Sequence, residues 1–193
     1  AGGLARMVRS IPSMLSGTSE NNNELLLKQL AKLNLAIEAY ERQKELPSGL
    51  KADVRSIIGW NVREDNLANE PTVKDDWAVV GQRQDEDDNL RVQRTWLLGK
   101  SCGSYALLLQ FAYGRQPFKL ALPVGYSMEA ELIYYPSAAP RRVLLKSKQP
   151  AMEVVSTFSG YANFEQVLDS YSETLARNPW TASVPAAIKS VSP

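Results

Sequence analysis

The chain has 193 residues, 44% of them hydrophobic and 22% charged, an ordinary globular composition with enough length for one core or two small ones. Its formal charge of +1 argues against a strongly electrostatic partner for the chain as a whole. It holds no histidine and a single cysteine, Cys102, which excludes an intrachain disulfide, Ser-His-Asp or Cys-His machinery and any histidine-based metal site.

No apolar run approaches the ~20 residues a membrane span needs, so a soluble, cytoplasmic chain is expected. The opening Ala1-Gly2-Gly3-Leu4-Ala5-Arg6 has neither a start methionine nor a signal-peptide pattern, and reads as part of a longer polypeptide. Leu4, Met7, Val8 and Ile11 then suggest the last turns of a helix, followed by a polar loop from Ser16.

Asn23 to Leu46 gives the clearest helical pattern. Leu26, Leu30, Leu33, Ile37 and Tyr40 alternate spacings of four and three on one stripe, more simply read as core than as a partner groove. Asn23 is a candidate cap, Glu38 and Arg42 a candidate pair one turn apart, and Pro47 a stop. A second helix with Leu50, Val54, Ile57 and Ile58 follows Ser48 and ends at Gly59. An αα-hairpin is the expectation and a coiled coil its rival.

Asn61 to Asp76 is polar and acidic, and reads as a linker or long loop. Beyond it the period changes to two. Strands are expected at Trp77 to Gln84, Leu90 to Leu98, Tyr105 to Tyr113, Tyr126 to Tyr135 and Arg141 to Lys148. In the second strand Leu90, Val92, Arg94, Trp96 and Leu98 share one side, and Arg91, Gln93 and Thr95 the other. Short connections favour an antiparallel meander of about five strands. Whether the sheet stays open or closes into a barrel is left undecided by the pattern. Asn163 to Arg177 is the last helix, with a capping-box pattern at Asn163 and Gln166 and a stripe of Phe164, Val167, Leu168, Tyr171 and Leu175. A short turn is expected over Ala186 to Val191. The fold class is thus α+β: a helical hairpin segment over 1–60, then a sheet with a C-terminal helix over 77–193.

Several stretches carry a family resemblance. They are Leu46-Pro47-Ser48-Gly49-Leu50-Lys51-Ala52-Asp53-Val54-Arg55 with Gly59-Trp60, Val79-Val80-Gly81-Gln82, Arg94-Thr95-Trp96-Leu97 within 90–99, Ala130-Glu131-Leu132-Ile133-Tyr134-Tyr135-Pro136 and Leu175-Ala176-Arg177-Asn178-Pro179-Trp180. In this order they resemble the C-terminal part of bacterial SWIM zinc-finger family proteins, from Ala31 onward. The resemblance implies that zinc belongs to a Cys-x-Cys…Cys-x-His module outside this chain, where no such ligand set can be placed. It also implies partners such as MoxR-type AAA+ ATPases or von Willebrand factor A-domain proteins. It implies no catalytic residue here.

The remaining candidates weigh toward structure. Cys102 lies among small polar residues with no base nearby. Asp85 to Asp88 lacks the spacing and glycine of a calcium loop, and reads as a solvated hairpin tip. Gly99 to Gly103 lacks P-loop spacing. Arg94 and Trp96, with Arg142, Lys146 and Lys148 from a later strand, offer a basic and aromatic surface for nucleic acid or a protein partner, provided alternation places them on one face. The simpler reading makes Trp96 core and the bases a rim. A non-catalytic interaction or scaffold region is therefore expected, with nucleic-acid binding as the alternative and no cofactor in this chain.

Overall fold

The computed structural model describes residues 3–15, 20–87, 89–157 and 159–189. Two units emerge. The first comprises residues 1–63, 136–139 and 172–182, and the second 64–135, 140–171 and 183–193.

The first unit holds three helices in its leading segment: α1 (Gly3–Leu15), α2 (Glu20–Glu41) and α3 (Ser48–Ile58). The expected pair α2–α3 is present, and α1 precedes it. Asn23 lies inside α2 rather than capping it, because the helix already runs from Glu20. Arg42 forms its ion pair with Glu45, while Glu38 accepts a hydrogen bond from Asn34 Nδ2 at 2.7 Å. Ser48 opens α3 without a side-chain cap; Pro47 occupies the cap position instead. Gly59 ends α3 as its sequence suggests. Its φ of 110° suits a residue without Cβ, and its N–H donates to the carbonyls of Arg55 and Ser56.

The stripe on α2 is not the face this unit buries. Ala36 is buried, whereas Leu30 and Ile37 are 44% and 49% exposed. Ala36 lies about 80° around the helix from the centre of the stripe. The loop at 136–139 is fastened to α3, where Ala138 N donates to Asp53 Oδ2 at 2.8 Å. Gly49 permits this approach, because a Cβ there would lie 2.8 Å from the Ser137 carbonyl oxygen. Trp180 Nε1 donates to the Lys32 carbonyl at 3.3 Å, tying the returning segment to α2.

The second unit is a barrel of β1 (Thr72–Asp87), β2 (Leu90–Gly99), β3 (Tyr105–Tyr113), β4 (Tyr126–Tyr134) and β5 (Arg142–Lys148), with a two-residue β6 (Glu153–Val154) beside β4. A short 3-10 turn at Glu64–Leu67 and the first residues of β1 occupy part of the expected linker. β1 is long because it serves two neighbours: its first half pairs with β4, and the part from Trp77 onward with β2. This closes the order β1-β2-β3-β5-β4-β1. β5 enters between β3 and β4, running parallel to β3 and antiparallel to β4, so the chain order departs from a simple meander. A five-stranded Greek-key barrel of this kind is the plan of OB-type barrels.

Trp77, Val79, Leu97, Leu108, Met128, Leu132 and Val143 fill the interior. Closure satisfies the edges of the sheet, which makes the fold possible without a covering layer on every strand. α4 (Phe164–Arg177) starts one residue after Asn163, whose Oδ1 accepts from Gln166 N at 3.0 Å. Its expected stripe is largely outside: Phe164 is 70% exposed, Leu168 and Tyr171 are exposed too, and Thr174 is the buried residue. In place of a turn after Ala186, Ile188 bridges to Tyr161. The rest of that expected turn, from residue 190, lies outside the described residues.

Candidate functional site

The register of β2 assigns its two sides. Leu97 and Thr95 are fully buried and Gln93 nearly so, which puts the polar side of the strand inside the barrel. Gln82 Nε2 donates to Thr95 Oγ1 at 3.0 Å and Gln84 Nε2 to Gln93 Oε1 at 3.0 Å. Gln110 on β3 accepts from Leu120 N at 2.8 Å and donates to the Leu120 carbonyl at 3.2 Å, fastening the loop after β3 across the barrel mouth. Buried amides are tolerated here because each finds a partner.

The other side of β2 therefore faces out, and it is apolar. Across β2 and β3 the directly opposed pairs are Leu90 with Tyr113, Val92 with Phe111, Arg94 with Leu109, and Trp96 with Leu107. Phe111 is 52% exposed and Tyr113 65% exposed, while Val92, Trp96, Leu107 and Leu109 are half-buried. Of the two readings of Trp96, the outer side is the one observed: Trp96 is half-buried there, and the core takes Leu97.

The sequence-predicted basic residues divide. Leu107 opposes Arg142, so Arg142 continues the outer row that contains Trp96. Its guanidinium lies 4.2 Å from the centre of the Tyr135 ring. Arg94 also faces out, and its guanidinium is bound to Asp85, which Arg83 holds from the other side at 2.9 Å. Asp85 thus belongs to this ion group rather than to a bare tip. Lys148 does not join the face. A register shift between Glu131 and Leu132 leaves Lys146 as the extra residue, which puts Lys148 opposite the core residue Ala130. Simple alternation from Arg142 misses that bulge. Phe111 and Tyr113 are the surface residues that sequence reasoning missed; their signal was the alternation within β3, hidden by a run of apolar residues.

At the other end of the barrel, Asp75 accepts hydrogen bonds from the backbone amides of Ser101 and of Cys102, the latter at 2.8 Å. Burial pushes its carboxyl up, but the Cys102 amide and thiol with the Ser101 and Asp76 amides outweigh this and hold it below the usual range. Burial pushes the Cys102 thiol up, opposite to what a reactive thiolate needs. Nearby, Ser127 Oγ lies 3.1 Å from Lys100 Nζ and 3.3 Å from Asp76 Oδ2. Nucleophilic chemistry by such a pair needs a free amine. Here Lys100 is ion-paired with Asp76, and Ser127 is only 1% exposed. The group is a structural clasp between β1, β4 and the loop after β2. Among the described residues, no three metal-ligating side chains come together. No described helix is long and apolar enough to cross a membrane.

Residues 1–58 match the family described as the SWIM-associated four-helix bundle domain. The matched residues contain α1, α2 and α3, and residues 172–182 cluster with them in the first unit. The barrel lies outside the match, as do the Arg94-Thr95-Trp96-Leu97 and Arg177-Asn178-Pro179-Trp180 stretches. No curated protein and no solved structure matches the chain.

Proposed function

We propose that this chain is a non-catalytic interaction region of a SWIM-type protein, and that its barrel engages a partner protein through the outer face of β2 and β3. The observation that carries the reading is the inversion of β2 and β3 at the end of these strands beside the β1–β2 turn. Glutamines face the interior while Val92, Phe111, Leu90 and Tyr113 face out. Placing an aromatic pair in water forgoes roughly 1.5–3 kcal/mol per side chain that burial would yield. An apolar patch with Trp, Tyr and Arg has the composition of an interface centre. The match of residues 1–58 to a SWIM-associated module supports placing the chain within such a protein. AAA+ ATPases and von Willebrand factor A-domain proteins are the first partners to try.

Nucleic-acid binding is the second reading, favoured by the OB-type strand order and by Arg94 and Arg142 on one outer face with Trp96. Charge favours the first reading. Phosphate binding needs uncommitted cations, yet Arg94 is tied to Asp85 and Lys148 leaves the face.

The test is capture from native cell extract with the wild-type chain and with the double variant Phe111→Ser/Tyr113→Ser. A defined protein recovered by the first and lost by the second supports the reading. A salt-sensitive shift of single-stranded nucleic acid, lost in Arg94→Ala/Arg142→Ala, transfers the assignment to the second.

A further inference from the structure

The first unit has an open cavity of its own, built by α1, α3 and the returning segment. Gly3 lets α1 approach α3 closely, since a Cβ there would lie 3.0 Å from Ile57 Cγ1. Residues 178–181 turn back against α2. Asn178 N donates to the Thr174 carbonyl at 2.9 Å, Trp180 N to Asn178 Oδ1 at 3.0 Å, and Trp180 Nε1 to the Lys32 carbonyl at 3.3 Å. These bonds hold the Trp180 ring in place with its polar edge satisfied.

The cavity has a volume of 470 Å³, and its described lining residues all belong to the first unit. That is within the size range of small-ligand sites, roughly 300–1,000 Å³. Met7, Ile57 and Trp180 give it apolar wall, and Lys32, Ser56 and Asn178 line the same space with polar groups. Lys32 is half-buried, yet its ammonium has no ion pair or hydrogen bond among the described residues. The Asn178 oxygen is taken by Trp180 N, which leaves its amide N–H donors. Asp53 is the one acid among the described lining residues, and it is engaged by Ala138 N and Ser137 rather than by Lys32.

We propose that this cavity binds a small organic monocarboxylate with an apolar body, its carboxylate on Lys32 and its body against Trp180 and Ile57. A half-buried ammonium without a partner gains a charge-assisted hydrogen bond from an anion. One ammonium balances one negative charge, and the Asp53 carboxylate in the same wall disfavours a dianion such as a phosphate. A carboxylate presents two oxygens, which the Lys32 ammonium and the Ser56 hydroxyl or Asn178 amide can serve as donors. The site is independent of the outer face near Phe111.

The test is titration of the ¹⁵N-labelled chain with phenylacetate, with 2-phenylethylamine as the cation arm and phenyl phosphate as the dianion arm. Phenylacetate should shift the Trp180 indole N–H saturably, that resonance being assigned by its loss in Trp180→Phe. Affinity should fall by about tenfold in Lys32→Met, the loss of one charge-assisted contact, while Phe111→Ser leaves it unchanged. Lys32→Met keeps an aliphatic stem to pack in place of the lysine. Should it still fail to fold, the wild-type comparison with 2-phenylethylamine decides. No saturable shift at Trp180, equal binding of the amine, tighter binding of phenyl phosphate, or unchanged affinity in folded Lys32→Met would overturn the proposal.

Discussion

Val92 and Phe111 oppose each other across β2 and β3 on the outside of the barrel, while their neighbours Gln93 and Gln110 oppose each other inside it. The usual order of apolar core and polar surface is thus exchanged along this stretch. Interior amides cost little when bonded, so the exchange is structurally affordable, but it leaves aromatic surface in water without a folding gain.

That surface makes a stability prediction. Phe111→Ser and Tyr113→Ser should each change the unfolding free energy by only about 0.5 kcal/mol, as for exposed positions. Urea denaturation of the purified variants checks this. A loss of several kcal/mol would mean that the aromatics serve the fold instead.

Gln110 should behave oppositely. Its side chain bonds both the N–H and the carbonyl of Leu120. Gln110→Ala leaves both groups without that partner at the barrel mouth, a loss of about 1–3 kcal/mol. Faster hydrogen exchange at the Leu120 amide should accompany it.

Asp75 sets an acid limit. Its folded pKa lies below the unfolded value of about 3.9. The unfolded chain therefore takes up the proton first, so the Asp75 contribution is complete above about pH 4 and is lost as pH falls through the folded pKa. Asp75→Asn should lower stability at neutral pH and flatten the acid limb of the stability curve. An unchanged limb would contradict this.

Tyr134 sets an alkaline limit of opposite sign. Burial, with the Cys102 charge behind it, pushes its phenol up to about 12, and its hydroxyl donates to the Tyr105 carbonyl at 3.1 Å. Its contribution is complete below the unfolded value of about 10 and is lost as pH rises through about 12. Ultraviolet titration should show a late tyrosine step that Tyr134→Phe removes.

Much of the fold was legible in the sequence. The shift from helical period to alternation places five strands, and Gly59 marks the end of α3 because only its left-handed conformation serves there. What escaped has physical causes. Alternation separates the two sides of β2 but does not say which is inside, and bonded glutamines let the polar side win. A single extra residue at Lys146 reverses the side of Lys148. The entry of β5 beside β3 is a non-local pairing that no local pattern encodes. The candidate face was half legible for the same reasons: Arg94, Trp96 and Arg142 are on it, while Phe111 and Tyr113 were hidden in an apolar run.

The most direct measurement places a photo-crosslinking phenylalanine analogue at position 113 of the native protein, in its own cell, with the same analogue at exposed position 164 as control. A discrete protein adduct at 113, absent at 164 and abolished by Phe111→Ser, is the predicted result. An adduct with nucleic acid alone, or no protein adduct above the control, would contradict the docking role of the β2–β3 face.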